Sequence, residues 1–125
     1  QQKQKKMKNS NQTLGSLGEK EAVKFLKKQH YKILELNYRT YYGEIDIIAK
    51  QKQTYVFVEV KTRTSDYVLG NEAVNFKKQK NIIASAESFL DNKRLFDVDY
   101  RFDIIEVLGS DPKIFKINHL IDAFA

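Results

Sequence analysis

Three carboxylates and a lysine stand inside the most core-like stretch of the chain, GEIDIIAKQKQTYVFVEVKTR, Gly43 to Arg63. Glu44 and Asp46 are set among Ile45, Ile47 and Ile48. Glu59 and Lys61 are set among Tyr55, Val56, Phe57, Val58 and Val60. A partly buried carboxylate without a partner costs several kcal/mol or takes up a proton. A divalent cation removes that conflict. Carboxylate oxygens are the ligands Mg²⁺ favours, and bound Mg²⁺ keeps waters and meets phosphate oxygens directly. The competing reading is a solvent-facing sheet surface with a cross-strand ion pair. Two features oppose it. The flanking residues are apolar on both faces, as in a strand covered by helices on both sides, and three carboxylates against one lysine leave the group negative.

These residues need a hairpin to bring them together. The spacing predicts strands over roughly 43–50 and 54–62, joined by Lys50-Gln51-Lys52-Gln53. Side chains alternate faces along a strand. Glu44 and Asp46 therefore share a face with Ile48, and Glu59 and Lys61 share one with Tyr55 and Phe57. Before the hairpin, Leu14, Ala22, Phe25 and Leu26 recur at helical spacing and predict a helix from about Leu14 to Gln29. Tyr31–Tyr38 reads as a strand. After the hairpin, residues 64–71 read as a loop containing Gly70. A second helix is expected from about Glu72 to Asp91, capped by Asn71, with the stripe Phe76, Ile83, Ala86 and Leu90. Tyr100–Leu108 reads as a buried strand, Gly109–Pro112 as a turn, Lys113–Ile117 as a short edge strand and the last residues as a helical turn. The order α-β-β-β-α-β-β, with no repeat and no linker, predicts one α/β domain over 13–125, with a mixed β-sheet flanked by helices.

Other chemistry-bearing residues have two readings each. Glu19 lies with Gly15, Ala22 and Leu26 on the core-facing side of the first helix, so it can join the acidic patch. It also completes Ser16-Leu17-Gly18-Glu19, a capping box in which it reaches back to Ser16. Gln79 falls in the second helix's stripe, either as a satisfied buried amide or pointing into the patch. Lys78, in line with Val74 and Ile82, either snorkels or meets phosphate. His30 and His119 have no ligand spacing around them and read as surface residues. Asp103, between Phe102 and Ile104, reads as structural. Tyr41-Tyr42 can stack on unpaired bases or pack in a hairpin.

Composition narrows the partners. The 125 residues suit one compact domain with a real core. No apolar run approaches the length of a transmembrane helix, the first residues lack the apolar region of a signal peptide, and without cysteine there is neither a disulfide nor a thiolate metal site. A cytoplasmic location fits. The formal charge of +6 comes from 22 basic against 16 acidic residues. Lys3, Lys5, Lys6 and Lys8 supply four of the 22, in a segment, 1–12, that reads as a disordered basic tail. Without them the balance is 18 against 16, so bulk charge alone does not select nucleic acid as partner.

The motifs, in their order, resemble a known family. Gly43-Glu44-Ile45-Asp46, then Val58-Glu59-Val60-Lys61-Thr62-Arg63, resembles the YraN-type family of predicted endonucleases. That family is distantly similar to archaeal Holliday junction resolvases of the PD-(D/E)xK nuclease superfamily. Gly18-Glu19 with Ala22 and Phe25-Leu26 looks like its first-helix motif. Asn37-Tyr38-Arg39 looks like the segment before its Gly-Glu-Ile-Asp. Glu72-Ala73-Val74 with Lys78-Gln79-Lys80 looks like its second helix, and Arg101-Phe102-Asp103 like its late strand. This chain has Ile45 in place of the superfamily's Pro, and Leu69 and Asn71 where the family often has Phe and Pro.

The resemblance implies a restriction-endonuclease-like core and Mg²⁺- or Mn²⁺-dependent hydrolysis of DNA phosphodiesters, with branched recombination or repair intermediates among the substrates. By that implication Asp46 and Glu59 bind the metal with the Val60 carbonyl, and Glu19 joins them directly or through water. Lys61 positions water or stabilises transition-state charge, and Gln79 is the second helix's catalytic glutamine. Arg63, Lys77, Lys78 and Lys80 contact phosphates, and two copies act as a homodimer. A nucleic-acid-binding module without turnover, or an interaction domain whose acids are surface ion pairs, are the alternatives. Glu44 is expected at the rim.

Overall fold

A computed structural model describes residues 13–64 and 75–125. The basic segment 1–12, the loop with Gly70, Asn71 and the Glu72-Ala73-Val74 motif lie outside the described residues. The described chain runs α1 (Leu14–Lys28), β1 (Lys32–Thr40), β2 (Gly43–Gln51), β3 (Thr54–Arg63), α2 (Phe76–Asn92), β4 (Asp99–Leu108), a 3₁₀ turn (Pro112–Ile114) and β5 (Lys116–Phe124). The five strands form one sheet in the order β1-β2-β3-β4-β5. All neighbours are antiparallel except β3 and β4, which run parallel. This is the expected mixed sheet with helices, in the expected order, and it is consistent with a restriction-endonuclease-like fold.

The sheet is covered on both faces, which explains the continuous apolar runs. Tyr55 to Val60 of β3 and Phe102 to Val107 of β4 are buried without a break. On one face α1 lays Ala22 and Leu26 over Ile47, Val56, Val58, Ile105 and Val107. On the other, α2 lays Ile82, Ala86, Phe89 and Leu90 over Ile45, Ile48, Phe57 and Ile104. Lys52, at φ 54°, closes a tighter β2–β3 turn than the sequence suggests, with Gln51 opposite Thr54. No described helix is long and apolar enough to cross a membrane.

Several expectations need correction. The second helix starts at Phe76, not Glu72, and Asn75 caps it by accepting from the Lys78 N–H at 2.8 Å. Its buried face is Ile82, Ser85, Ala86, Phe89 and Leu90, whereas Phe76 is 70% exposed under the Lys80 ammonium. The last residues are a full edge strand, not a helical turn. Ile117, Leu120, Ile121 and Phe124 have helical spacing, but they lie in a strand whose register against β4 shifts between Phe102 and Ile104, and Ile121 is exposed rather than part of a packed stripe. Ile117 packs on the α1 side, and Leu120 and Phe124 on the α2 side.

His119 is not a surface residue. Its Nε2 meets the buried Asp103 carboxylate at 2.8 Å, and its ring packs edge-on against Phe25. His30, by contrast, is exposed. Asp103 also accepts from Arg101 Nε at 3.0 Å and from the Asp122 N–H at 3.0 Å, and Arg101 reaches the Tyr31 hydroxyl at 2.7 Å. Burial alone would raise the Asp103 pKa, but the bonds from His119 and Arg101 hold it below the ordinary carboxylate value. The acid therefore pins β5 to β4 at the bulge, the structural role expected of it. Replacing Asp103 with Ala strands a largely buried guanidinium. Urea denaturation is expected to show a loss of about 3–5 kcal/mol, and a loss below about 1 kcal/mol would remove Asp103 from this role.

A carboxylate cluster where two strands part

The site is built where the β2–β3 ladder ends. Its last pair on this side is Ile47 with Val58. One residue further, the Asp46 side chain takes over: its Oδ2 accepts the Val60 N–H at 2.8 Å. A carboxylate thus replaces the carbonyl that a neighbouring strand would present. The strand alternation also breaks here. Ile45 and Ile48 pack together on the α2 side, while Ile47 faces α1. The expected common face for Glu44, Asp46 and Ile48 is therefore not kept, because β2 turns at Asp46 as it leaves β3.

On β3 the alternation holds. Tyr55 and Phe57 lie under α2, and Glu59 and Lys61 follow them on that face. Glu59 is only 4% exposed. Its Oε2 receives the Lys61 ammonium at 3.5 Å and also the Lys78 ammonium from the first turn of α2. The Glu59 charge acts directly on Asp46 across the parting strands.

Glu19 arrives from the other helix. The first helix is capped by Thr13, whose hydroxyl accepts the Ser16 N–H at 3.1 Å, so the capping-box reading of Glu19 is not met. Glu19 bonds instead to the side chain of Asn37, which sits at φ 51°. Gly18 makes this approach possible. A Cβ there would overlap the Thr62 hydroxyl and lie 2.9 Å from the Thr62 Cβ. The helix thus rests on β3 one residue from Lys61. Glu44 pairs with Arg39 at 3.6 Å on the rim, as expected, and its charge is felt at Glu19.

The electrostatics follow from crowding. Burial, then the Glu59 charge and more weakly the Glu19 charge, push the Asp46 pKa up to about 7, against the Val60 N–H, which lowers it. Glu19 is raised by burial and by Glu44 and Glu59. Lys61 is lowered by burial and by the positive Lys78 beside it. Burial is the largest single influence on Lys78 and lowers it, but the bond to Glu59 and the Glu59 charge together carry it above its ordinary value. Among the described residues no group of three or more His, Asp or Glu is drawn together as a ready-made metal cage. The arrangement is a raised Asp46 carboxyl beside the buried Glu59 carboxylate, with Glu19 as a third acid whose charge reaches Asp46.

The remaining expected residues surround this pair. Gln79 is half-buried one residue beyond Lys78. Lys77 and Lys80 are exposed on the same turn of α2. Arg63 is half-buried at the end of β3 and bonds the Thr62 carbonyl. Tyr41, 96% exposed, and Tyr42 pack on each other edge-to-face at the β1–β2 tip. Thr40 ties that tip to α2 through the Ser85 hydroxyl at 2.7 Å. Two residues near the site carry no site role in the sequence reading. Asn37 left no signal beyond its place in a motif. Glu106 left the same signal as Glu59, a carboxylate inside an apolar strand.

The geometry defines an α/β protein with an acid-and-lysine cluster at a split in its sheet. The chain belongs to the family described as Uncharacterised protein family UPF0102, which matches residues 18–107; this is the YraN-type family that the motifs resemble. It is 47% identical over 120 residues to a UPF0102 protein of Clostridium beijerinckii, covering 94% of this chain and 98% of that one. It is 47% identical over 115 residues to a UPF0102 protein of Caldanaerobacter subterraneus, covering 90% and 94%. With a UPF0102 protein of Alkaliphilus oremlandii the identity is 48% over 117 residues, covering 91% and 99%.

The raised Asp46 pKa has a consequence for stability. Between the unfolded carboxyl value and about 7 the folded protein binds the extra proton, so stability falls as pH rises through this window. In metal-free buffer, urea denaturation is expected to show a loss of roughly 3 kcal/mol from pH 4 to pH 7 attributable to Asp46. Asp46→Asn flattens the curve by that amount. An unchanged slope in the variant contradicts the assignment.

Proposed function

We propose that this protein is a Mg²⁺- or Mn²⁺-dependent endonuclease acting on DNA. The observation that carries this reading is the half-buried Asp46 with the buried Glu59 at the parting of β2 and β3, and Lys61 beside them. The donor set fits the cation. Mg²⁺ is held by one or two carboxylates and completes its shell with water and phosphate, so a three-acid cage is not required. A carboxyl pushed up to about 7 by burial and then by the Glu59 charge is a group that a divalent cation relieves.

Asp46 and Glu59 would hold the cation, with Val60 supplying its carbonyl and Glu19 acting through water. A bound Mg²⁺ would polarise a phosphoryl oxygen and acidify a coordinated water. Lys61, mostly enclosed, steadies the charge that develops on the phosphoryl oxygens or aligns the attacking water. Gln79, beside Lys78, orients a substrate oxygen. Arg63, Lys77 and Lys80 bind backbone phosphates, with Lys78 joining them once it leaves Glu59. The affinity for DNA then falls with salt. Two copies related by a two-fold axis would cut the paired strands of a branched substrate.

A second reading is favoured by the two lysines on Glu59, which neutralise that acid without a metal. It is a module that binds nucleic acid and does not cut. A panel of linear, flapped and four-way DNA, with Mg²⁺, Mn²⁺ or chelator, separates the two. The enzyme reading expects cleavage that needs the cation and falls about 100-fold or more in Lys61→Ala. Binding without cleavage of any substrate supports the module instead. Cleavage that survives Lys61→Ala unchanged rejects the site assigned here.

A further inference from the structure

Glu106 lies beside the proposed site on β4. It is Lys61's direct neighbour across the parallel β3–β4 ladder. Side chains alternate along both strands. Phe57 and Phe102 are neighbours under α2, so Lys61 and Glu106, four residues further along each strand, share that face. Glu106 is 2% exposed. Its Oε1 accepts from Asn118 Nδ2 at 2.9 Å, but its Oε2 is buried with no hydrogen-bond partner. Buried carboxylate oxygens are rarely left so, because the lost hydration is not repaid.

The same face has a second conflict. For Glu59 to offer Oε2 to a cation, the two ammonium groups on that oxygen must leave. Lys78 is nearly half exposed and can turn to solvent. Lys61 is only 16% exposed and cannot do so without another acceptor. An enclosed lysine without an acceptor and a neighbouring carboxylate oxygen without a donor answer each other.

We propose that Glu106 is a positioning residue of the site, receiving the Lys61 ammonium when Glu59 turns to a divalent cation. The inference rests on the metal-dependent reading above. Asn118 fixes one carboxylate oxygen and leaves the other for Lys61. The ammonium then swings from β3 toward β4 and stays close to the cation without competing for its ligand. No bond is made or broken beyond this exchange of ion pairs.

The test is Mn²⁺ binding, measured by calorimetry on the full chain without DNA. Glu106→Gln keeps the shape and the acceptor for Asn118 but removes the charge. It is expected to raise the Mn²⁺ dissociation constant by about tenfold or more, since Lys61 stays on Glu59. In a Lys61→Met background the same substitution is expected to change nothing, because the competing ammonium is gone. Equal Mn²⁺ affinity in wild type and Glu106→Gln overturns this inference and leaves the metal reading standing. No Mn²⁺ binding by wild type overturns both. If Glu106→Gln does not fold, a Mn²⁺-bound crystal structure of the wild type decides. Lys61 Nζ within hydrogen-bonding distance of Glu106 supports the exchange, and Lys61 still on Glu59 ends it.

Discussion

The bond from the Val60 N–H to the Asp46 carboxylate organises everything around it. In an unbroken hairpin that N–H would meet a backbone carbonyl of β2. Here a side chain takes the bond, and β2 is released to diverge. Divergence opens the sheet between two cores, one under α1 and one under α2. The opening lets a residue of α1 and a residue of α2 reach the same carboxylate pair from opposite sides. Glu19 comes from one and Lys78 from the other. A continuous hairpin would keep those faces apart.

The rest of the fold holds that opening in place. The parallel β3–β4 pair buries six consecutive residues on each strand, so the β3 backbone that carries Glu59, Val60 and Lys61 is held along β4 after β2 has left it. Gly18 allows α1 to lie directly on Thr62. Asn75 begins α2 at the point that presents Lys78 to Glu59. Asp103, with Arg101 and His119, secures the outer strand away from the cluster. Structural charge and candidate functional charge are thereby segregated. Asp103 is fully satisfied and its pKa lies low, whereas Asp46 is crowded and its pKa lies high.

Much of this was legible in the chain. Apolar periodicity gave the order of elements, and continuous apolar runs in 54–62 and 100–108 correctly implied a sheet buried on both faces. The carboxylates interrupting those runs pointed to the cluster. What failed were the places where local pattern and tertiary constraint disagree. Ile117, Leu120, Ile121 and Phe124 imitate a helix, yet Ile117 packs on one face of an edge strand, Leu120 and Phe124 on the other, and Ile121 is exposed. Phe76 has the spacing of a stripe, yet it stands exposed at the first turn of α2 under the Lys80 ammonium. Ser16 and Glu19 matched a capping box, but Thr13 lay one turn earlier and took the cap. His119 and Glu106 are paired or hidden through partners distant in sequence, which no local spacing reveals.

Asp46, raised to about 7 by burial and the Glu59 charge, carries a proton that a divalent cation at the proposed site would displace. Calorimetric titration of the metal-free protein with Mn²⁺ at pH 6, in buffers of different ionisation enthalpy, counts the protons displaced. With Asp46 raised to about 7, binding is expected to release about one proton per cation, and Asp46→Asn to abolish that release. Binding with no proton release, or no binding at all, would contradict the account.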